Sequence, residues 1–179
     1  MNLREILIRE TGALLRSGVE EVSLRRVARA AGVSAMAPYR HFPDKAALLG
    51  ATAERGFEEL RVRLELADAS SEGRQALVEQ GVAYVAFAQE QPRLFRLMFA
   101  GREQACVAPE ETQGAYGVLA RRVAILAPHD REALTLGCWA MVHGLAMLSL
   151  DAAISLDDKT LRDALSALTR NIESLVHTN

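Results

Sequence analysis

The sequence predicts an all-α protein, and three observations support that prediction. Half of the 179 residues are hydrophobic, only 5% are aromatic, and the abundant Ala and Leu favour helices. Apolar residues recur at the three- and four-residue spacing of amphipathic helices, without the alternation typical of strands. No Asn-Gly or Asp-Gly dipeptide marks a hairpin turn. The length suits one domain, or a small domain attached to a larger one.

The first two predicted helices lie within residues 2–31. Residues 2–17 form an amphipathic helix that ends at Gly18, because glycine favours the backbone conformation of a helix C-terminal cap. Charges interrupt its apolar residues, so it is not a signal peptide. Ser23 is the candidate N-cap of a short second helix, LRRVARAA.

The next two helices follow the glycine that ends the second helix, Gly32. Ser34 can cap a third short helix, which carries the sequence AMAPYRHF. Pro43 and Asp44 then open a fourth helix, because proline and an acidic residue are both favoured in the first turn. This fourth helix is predicted to continue to about residue 67.

Five more helices are predicted in the remainder, which gives about nine in all. They span approximately residues 74–91, 92–100, 112–127, 129–154 and 157–177. Residues 102–113 are the most loop-like stretch. The chain thus divides into a predicted three-helix head, residues 1–47, and a helical bundle, residues 48–179.

Residues 133–150 allow two interpretations. They carry no formal charge at neutral pH and are long enough to be tested as a membrane span. However, they include Thr, Ser, His and two Gly residues, and no clear basic cluster flanks them. We therefore expect a buried helix within a bundle or at a dimer interface. The two widely spaced cysteines, Cys106 and Cys138, are expected to be reduced thiols in a cytoplasmic protein.

Charge is distributed unevenly along the chain. The net charge is −2, yet residues 1–50 carry eight Lys and Arg against five Asp and Glu. A basic head on an acidic body favours contact between the head and a polyanion.

Residues 23–42 contain the parts of a helix–turn–helix, with small residues for helix packing and the turn sequence AAGVS. The third helix could then enter a DNA major groove, where Met36 would meet thymine methyl groups and Arg40 a guanine. Tyr39 could instead be a core residue, and His41 an ordinary surface histidine. The predicted DNA-binding residues are Ser23, Arg25, Arg26, Ser34, Ala35, Met36, Ala37, Tyr39, Arg40, His41 and Lys45.

The segment SLRRVARAAGVSAMAPYRHFPDKAALL resembles the DNA-binding head of the TetR family of one-component bacterial repressors. One departure is Pro38, where the family more often has Leu or Ile. The features that carry the resemblance are Leu24, Val27-Ala28, Ala31-Gly32-Val33-Ser34, Tyr39-x-His41-Phe42, Lys45 and Leu48-Leu49.

The body resembles, less specifically, the C-terminal domain of TetR proteins of the WHG type. The matching residues are Tyr84-Val85, Phe87-Ala88, Pro92, Leu97-Met98-Phe99 and Trp139–Gly144. The resemblance implies a homodimer formed by the last two helices, which reads a pseudo-palindromic double-stranded DNA site. Apolar spacing supports such a seam at Leu161, Ala164, Leu165, Leu168, Ile172 and Leu175.

The body is also expected to hold a pocket for a small-molecule effector, with no metal or other cofactor. The competing and favoured interpretation of each single candidate is a plain core residue. Trp139 and His143, four residues apart, form either a hydrogen-bonded core pair or part of the pocket. Cys138 and His143 are five residues apart, a poor fit to one metal site. The candidate lining residues are Tyr84, Phe87, Met98, Trp139, Met141, His143 and Met147.

Two other classes of function explain less of the sequence. The sequence has no glycine-rich phosphate loop, nucleophile elbow or paired metal motif, which argues against an enzyme. A helical adaptor would account for the bundle but not for the Arg, Tyr, His and Lys residues after the second helix. The sequence therefore predicts a ligand-responsive transcriptional regulator, with repression favoured by the resemblance.

Overall fold

The computed structural model describes residues 2–18, 21–100 and 114–170, and within them it contains eight α-helices and no strand. The all-α class is confirmed, and the helix number is close to the predicted nine. The predicted loop at 102–113 and residues 171–177 of the last predicted helix, with Cys106, Ile172 and Leu175, lie outside the described residues. The helices are α1 (Leu3–Arg16), α2 (Leu24–Ala30), α3 (Lys45–Ala69), α4 (Gly73–Glu90), α5 (Pro92–Phe99), α6 (Ala115–Leu126), α7 (Arg131–Leu150) and α8 (Asp158–Thr169).

The helices form two compact units. The first contains the described residues of Met1–Phe57 and Gln91–Gln104, and the second those of Glu58–Glu90 and Ala105–Asn179. Helix α5 thus belongs with the head, where the Gln91 side chain before it accepts a hydrogen bond from Arg16 at 3.2 Å. Each unit therefore combines two separate stretches of the chain, whereas the predicted division at residue 47 cuts the chain once. That division, as a functional boundary, stays a prediction.

The core of the first unit forms where α1, α2 and the start of α3 meet. Helix α1 begins with a capping box, in which Asn2 and Glu5 each accept a hydrogen bond from the other's backbone N–H. The fully or nearly fully buried side chains of this core are Leu7, Ile8, Val22, Leu24, Val27, Phe42, Leu48 and Ala51.

Gly32 makes the reversal after α2. Its φ of +68° lies in the left-handed region, which glycine enters without steric cost. The amide of Gly32 donates to the carbonyl of Arg29, and that of Val33 to the carbonyl of Ala28, so carbonyls at the end of α2 find partners. The turn chemistry expected from the sequence is present here.

The third predicted helix, over AMAPYRHF, is not an α-helix. Only Pro38–Arg40 form a 3₁₀ turn, and the amides of Ala37, Arg40 and His41 each bond three residues back. Proline has no N–H, so Pro38 cannot donate the bond to Ser34 that a continuous α-helix requires. The Pro38 side chain is buried and anchors this turn on the core.

In the second unit, α4 packs against α6, α7 and α8. Its buried face includes Leu77, Tyr84 and Phe87. Gly81 permits a close crossing with α8, because a Cβ atom at this position would lie 2.8 Å from a methyl group of Leu165.

Among the described residues, helix α7 is not buried within a bundle, and the interface alternative of the prediction stays a prediction. Its mean hydropathy is 1.6, yet only 17% of the apolar window is buried. Leu136 is 56% exposed and Leu148 is 46% exposed. By length and composition alone α7 could cross a membrane, but the same properties suit a helix covered by a partner chain.

Candidate nucleic-acid interface and ligand cavity

Helix α2 presents a basic surface. Its buried stripe of Leu24, Val27 and Ala28 turns Arg25 and Arg26 outward. Half-buried Ser23 is the N-cap, as predicted, and its hydroxyl oxygen accepts a hydrogen bond from the Arg26 amide at 3.3 Å. The hydroxyl hydrogen can still be donated to a phosphate. The arrangement can therefore grip a DNA backbone from the start of α2.

The turn after Gly32 carries the side chains that sequence reasoning assigned to base contacts. Ser34, Ala35, Met36, Tyr39, Arg40 and His41 are all exposed there, and Ala37 is half-buried. Met36 is 68% exposed and Tyr39 is 44% exposed, so neither is a core residue. Phe42 takes the core position instead. An exposed methionine and tyrosine beside an arginine provide apolar, stacking and hydrogen-bonding contacts on one short segment.

The N-terminus of α3 adds a third element. Asp44 caps it by accepting a hydrogen bond from the Ala47 amide at 2.8 Å. Half-buried Lys45 forms an ion pair with exposed Glu21, with 3.5 Å between Nζ and Oε1. Such a pair contributes little, so Lys45 can exchange Glu21 for a phosphate. The predicted DNA-binding residues thus occupy α2, the following turn and the first turn of α3.

The second unit encloses a cavity of about 20 Å³. That volume accommodates about one water molecule, so an organic effector would require the walls to move. No charged side chain contributes to the lining, which consists of Leu64, Leu77, Gln80, Gly81, Tyr84, Leu119, Cys138, Trp139, Met141, Val142, Leu165 and Thr169.

The structure places the predicted pocket residues in different environments. Tyr84, Trp139 and Met141 line the cavity, whereas Phe87, His143 and Met147 of the second unit do not. Met98 belongs to the first unit, where its sulfur lies against Gly56. Phe87 is fully buried, with the Arg63 guanidinium 5.2 Å from its ring centre.

Tyr84 joins α4 to α7. Its hydroxyl is 2.9 Å from Nδ1 of His143, and its ring makes an edge-to-face contact with Trp139 at 5.2 Å between centroids. Burial raises the pKa of the Tyr84 hydroxyl and lowers that of the His143 imidazole, so both are neutral near pH 7. His143 thus hydrogen-bonds to Tyr84 rather than pairing only with Trp139, and Trp139 packs edge-to-face on the same tyrosine.

A buried polar group that sequence reasoning missed is Gln80, which is only 3% exposed. Its amide nitrogen donates to Asp68 at 2.6 Å. Arg122 donates twice to the same carboxylate, at 2.7 and 2.9 Å. The available signal was spacing, because Gln80 lies three residues after Leu77 and four before Tyr84 on an otherwise apolar stripe.

A helix–turn–helix head with an exposed basic and aromatic surface, joined to a helical body, defines a DNA-binding regulator. Comparison with family models gives the same result. Residues 13–52 match the model of bacterial regulatory proteins of the tetR family, and residues 77–172 match a tetracyclin repressor-like C-terminal domain. The chain belongs to the TetR family of transcriptional regulators.

Solved structures share the fold over nearly the whole chain. A Rhodococcus sp. RHA1 protein of unknown function is 30% identical, with a TM-score of 0.74 over 97% of this chain and 95% of its own. A TetR family regulator from Marinobacter aquaeolei VT8 is 19% identical, with a TM-score of 0.58 over 93% of both chains. A TetR protein from Acinetobacter baumannii AYE, solved in complex with minocycline, is 18% identical, with a TM-score of 0.61 over 99% and 95%. Among curated protein sequences, none matched significantly.

Proposed function

We propose that this protein is a cytoplasmic repressor that binds a pseudo-palindromic operator as a homodimer and is released by a small molecule. The observation that carries this proposal is the exposed set of Met36, Tyr39 and Arg40 on a rigid turn. Buried Pro38 holds that turn on the core, and Gly32 makes the chain reversal before it. Side chains held in this way can contact base edges without the entropy cost of ordering the backbone on binding.

Dimerisation is supported by the apolar surface of the last helices. Leu136 and Leu148 on α7 are exposed, and Leu168 on α8 is 61% exposed. Exposed leucines on two consecutive helices are typical of an interface between copies. Two heads related by a twofold axis would read two half-sites in successive major grooves.

Effector control would follow from a population shift. The cavity is small in this structure, so an organic ligand would favour a conformation in which it is larger. Helix α3 runs from Lys45 in the head to Leu64 in the cavity wall and could transmit that change. The effect on operator affinity cannot exceed the difference in ligand affinity between the two conformations.

The test is a salt-titrated gel shift on the promoter region beside the protein's own gene, with scrambled DNA as the competitor. Arg40→Ala should weaken operator binding by about 1–3 kcal/mol and relax the base preference at one position. Arg25→Ala should weaken all sequences about equally and reduce the salt slope by about one.

Arg121→Ala is the matched control, because it removes an exposed guanidinium from the second unit. It should leave operator affinity unchanged. Unchanged sequence preference in Arg40→Ala would refute the assignment of Arg40. The proposed function would be refuted by two results together. These are equal binding to the promoter region and to scrambled DNA at every salt concentration, and no preferred sequence in a library of genomic fragments.

A further inference from the structure

The cavity of the second unit carries an unpaired hydrogen-bond acceptor. Gln80 is part of the cavity wall, and its side-chain oxygen Oε1 is buried without a hydrogen-bond partner among the described residues. Buried polar groups in proteins are almost always paired. An unpaired acceptor in the wall of a cavity therefore marks a position that a donor can occupy favourably.

Asp68 fixes which end of the Gln80 amide is available. Burial alone would raise the pKa of Asp68, but hydrogen bonds from Arg122 and Gln80 outweigh burial and lower it. Asp68 is thus ionised near neutral pH and can only accept hydrogen bonds. The Gln80 nitrogen must face Asp68, because only the nitrogen can donate to a carboxylate. The oxygen is therefore the atom left for a ligand.

The two hydroxyl groups of the wall are already engaged. The Thr169 hydroxyl donates to the carbonyl of Leu165 at 2.7 Å, and the Tyr84 hydroxyl is hydrogen-bonded to His143. Burial raises the pKa of the Cys138 thiol, which keeps it neutral. An ionised ligand would find no counter-charge in this lining, and removing its charge from water would be costly.

We propose that the effector is an uncharged, mainly apolar molecule that donates one hydrogen bond, from a hydroxyl or N–H group, to Oε1 of Gln80. This proposal rests on the proposed function, because it specifies the ligand class of the same regulator. The ligand body lies between Leu77, Trp139 and Met141. Half-buried Trp139 and Met141 on α7 are the side chains that move to enlarge the cavity.

Three probes with seven-carbon skeletons test this inference on the full-length protein without DNA. Cyclohexylmethanol and methoxycyclohexane are isomers, of which only the alcohol has a donor. Cyclohexanecarboxylate adds a charge to the same ring. Trp139 is the sole tryptophan and lines the cavity, so its fluorescence reports entry, and calorimetry gives the affinities.

The alcohol should bind roughly tenfold more tightly than the ether, because only the alcohol satisfies the buried acceptor. The carboxylate should bind more weakly than either isomer. In Gln80→Met the preference for the alcohol should disappear while the ether still binds, which shows that the cavity remains intact. Thr135→Val, which removes a buried hydroxyl outside the cavity lining, should keep the full preference.

Equal affinity for the isomers, a preference that persists in Gln80→Met, or binding of neither isomer would overturn this inference. Operator binding is measured without ligand and does not depend on these results. A protein that binds its operator but shows no alcohol preference would retain the proposed function and lose only this ligand class. A protein that prefers the alcohol but binds no DNA would keep this ligand class and lose the proposed function.

Discussion

At the scale of single residues, the two glycines Gly32 and Gly50 make a matched pair. Gly32 has a φ of +68°, whereas Gly50 lies in α3 with open space around a Cβ position. Gly32→Ala should lower the free energy of unfolding by about 1–2 kcal/mol, because an L side chain is strained in the left-handed region. Gly50→Ala should raise it by about 0.5–1 kcal/mol, because alanine loses less entropy in a helix.

Urea denaturation of the two variants and the wild type measures both changes. If Gly32→Ala raised the unfolding midpoint as Gly50→Ala does, the expected left-handed strain at residue 32 would be refuted. Operator binding should weaken in Gly32→Ala but not in Gly50→Ala, since Gly32 sets the direction of the turn that we propose reads the bases.

The residues of the head could be predicted from the sequence more completely than those of the cavity. Ser23, Gly32 and Arg40 belong to one contiguous segment whose local rules fix caps, turn and exposure. The cavity instead depends on long-range packing. Gln80 of α4 donates to Asp68 of α3, which also accepts from Arg122 of α6. Nothing in the sequence around Gln80 indicates that its side-chain oxygen is left unpaired.

At the scale of helices, the contact between α4 and α7 predicts a pH dependence. Burial lowers the pKa of His143 from 6.5, while the unfolded chain keeps the ordinary value. Below that value the unfolded state binds more protons than the folded state, so the free energy of unfolding falls as the pH decreases. This contribution is present in full above pH 6.5 and is lost as the pH falls through the folded-state pKa.

His143→Gln should reduce that dependence, because glutamine can still hydrogen-bond to Tyr84 but does not titrate. Urea denaturation at about pH 7.5 and about pH 5.5 gives the two free energies for each protein. The wild type should lose more stability between them than the variant. Identical losses would mean that His143 is protonated equally in the folded and unfolded states.

Helix boundaries were largely predictable, and the exception has a local cause. The sequence predicted α4 from about 74 to 91 and the structure gives Gly73–Glu90, because caps and breaks mark both ends. The prediction of a third α-helix over AMAPYRHF was wrong because the missing N–H of Pro38 has a larger effect than its place near the start of a short helix indicates. Pro38 removes one amide hydrogen bond, and in so short a segment that loss replaces an α-helix with a 3₁₀ turn.

At the scale of the whole molecule, α7 shows why an apolar segment is ambiguous in a sequence. Residues 133–150 are apolar enough for a core helix, a membrane span or an interface, and these differ only in what covers the helix. Within the described protomer only 17% of its apolar window is buried. The described residues therefore do not account for its composition, and we propose that a second copy of this chain covers it.

That proposal predicts the behaviour of a double variant, Leu136→Glu with Leu148→Glu. Each leucine buried in a dimer contributes about 1.5–3 kcal/mol, and a buried unpaired carboxylate adds a further cost. The dimer dissociation constant should therefore rise by more than about a hundredfold. Sedimentation velocity should show monomers at concentrations where the wild type is dimeric.

Leu66→Glu is the matched control for this experiment, because Leu66 is a leucine of α3 that is 68% exposed and lies on neither proposed interface helix. It should remain dimeric and bind the operator with wild-type affinity. The double variant should keep its helical content but lose most operator affinity, because one head engages a single half-site. If the double variant stayed dimeric, or if Leu66→Glu dissociated equally, the interface would lie elsewhere, and the apolar surface of α7 would need another partner.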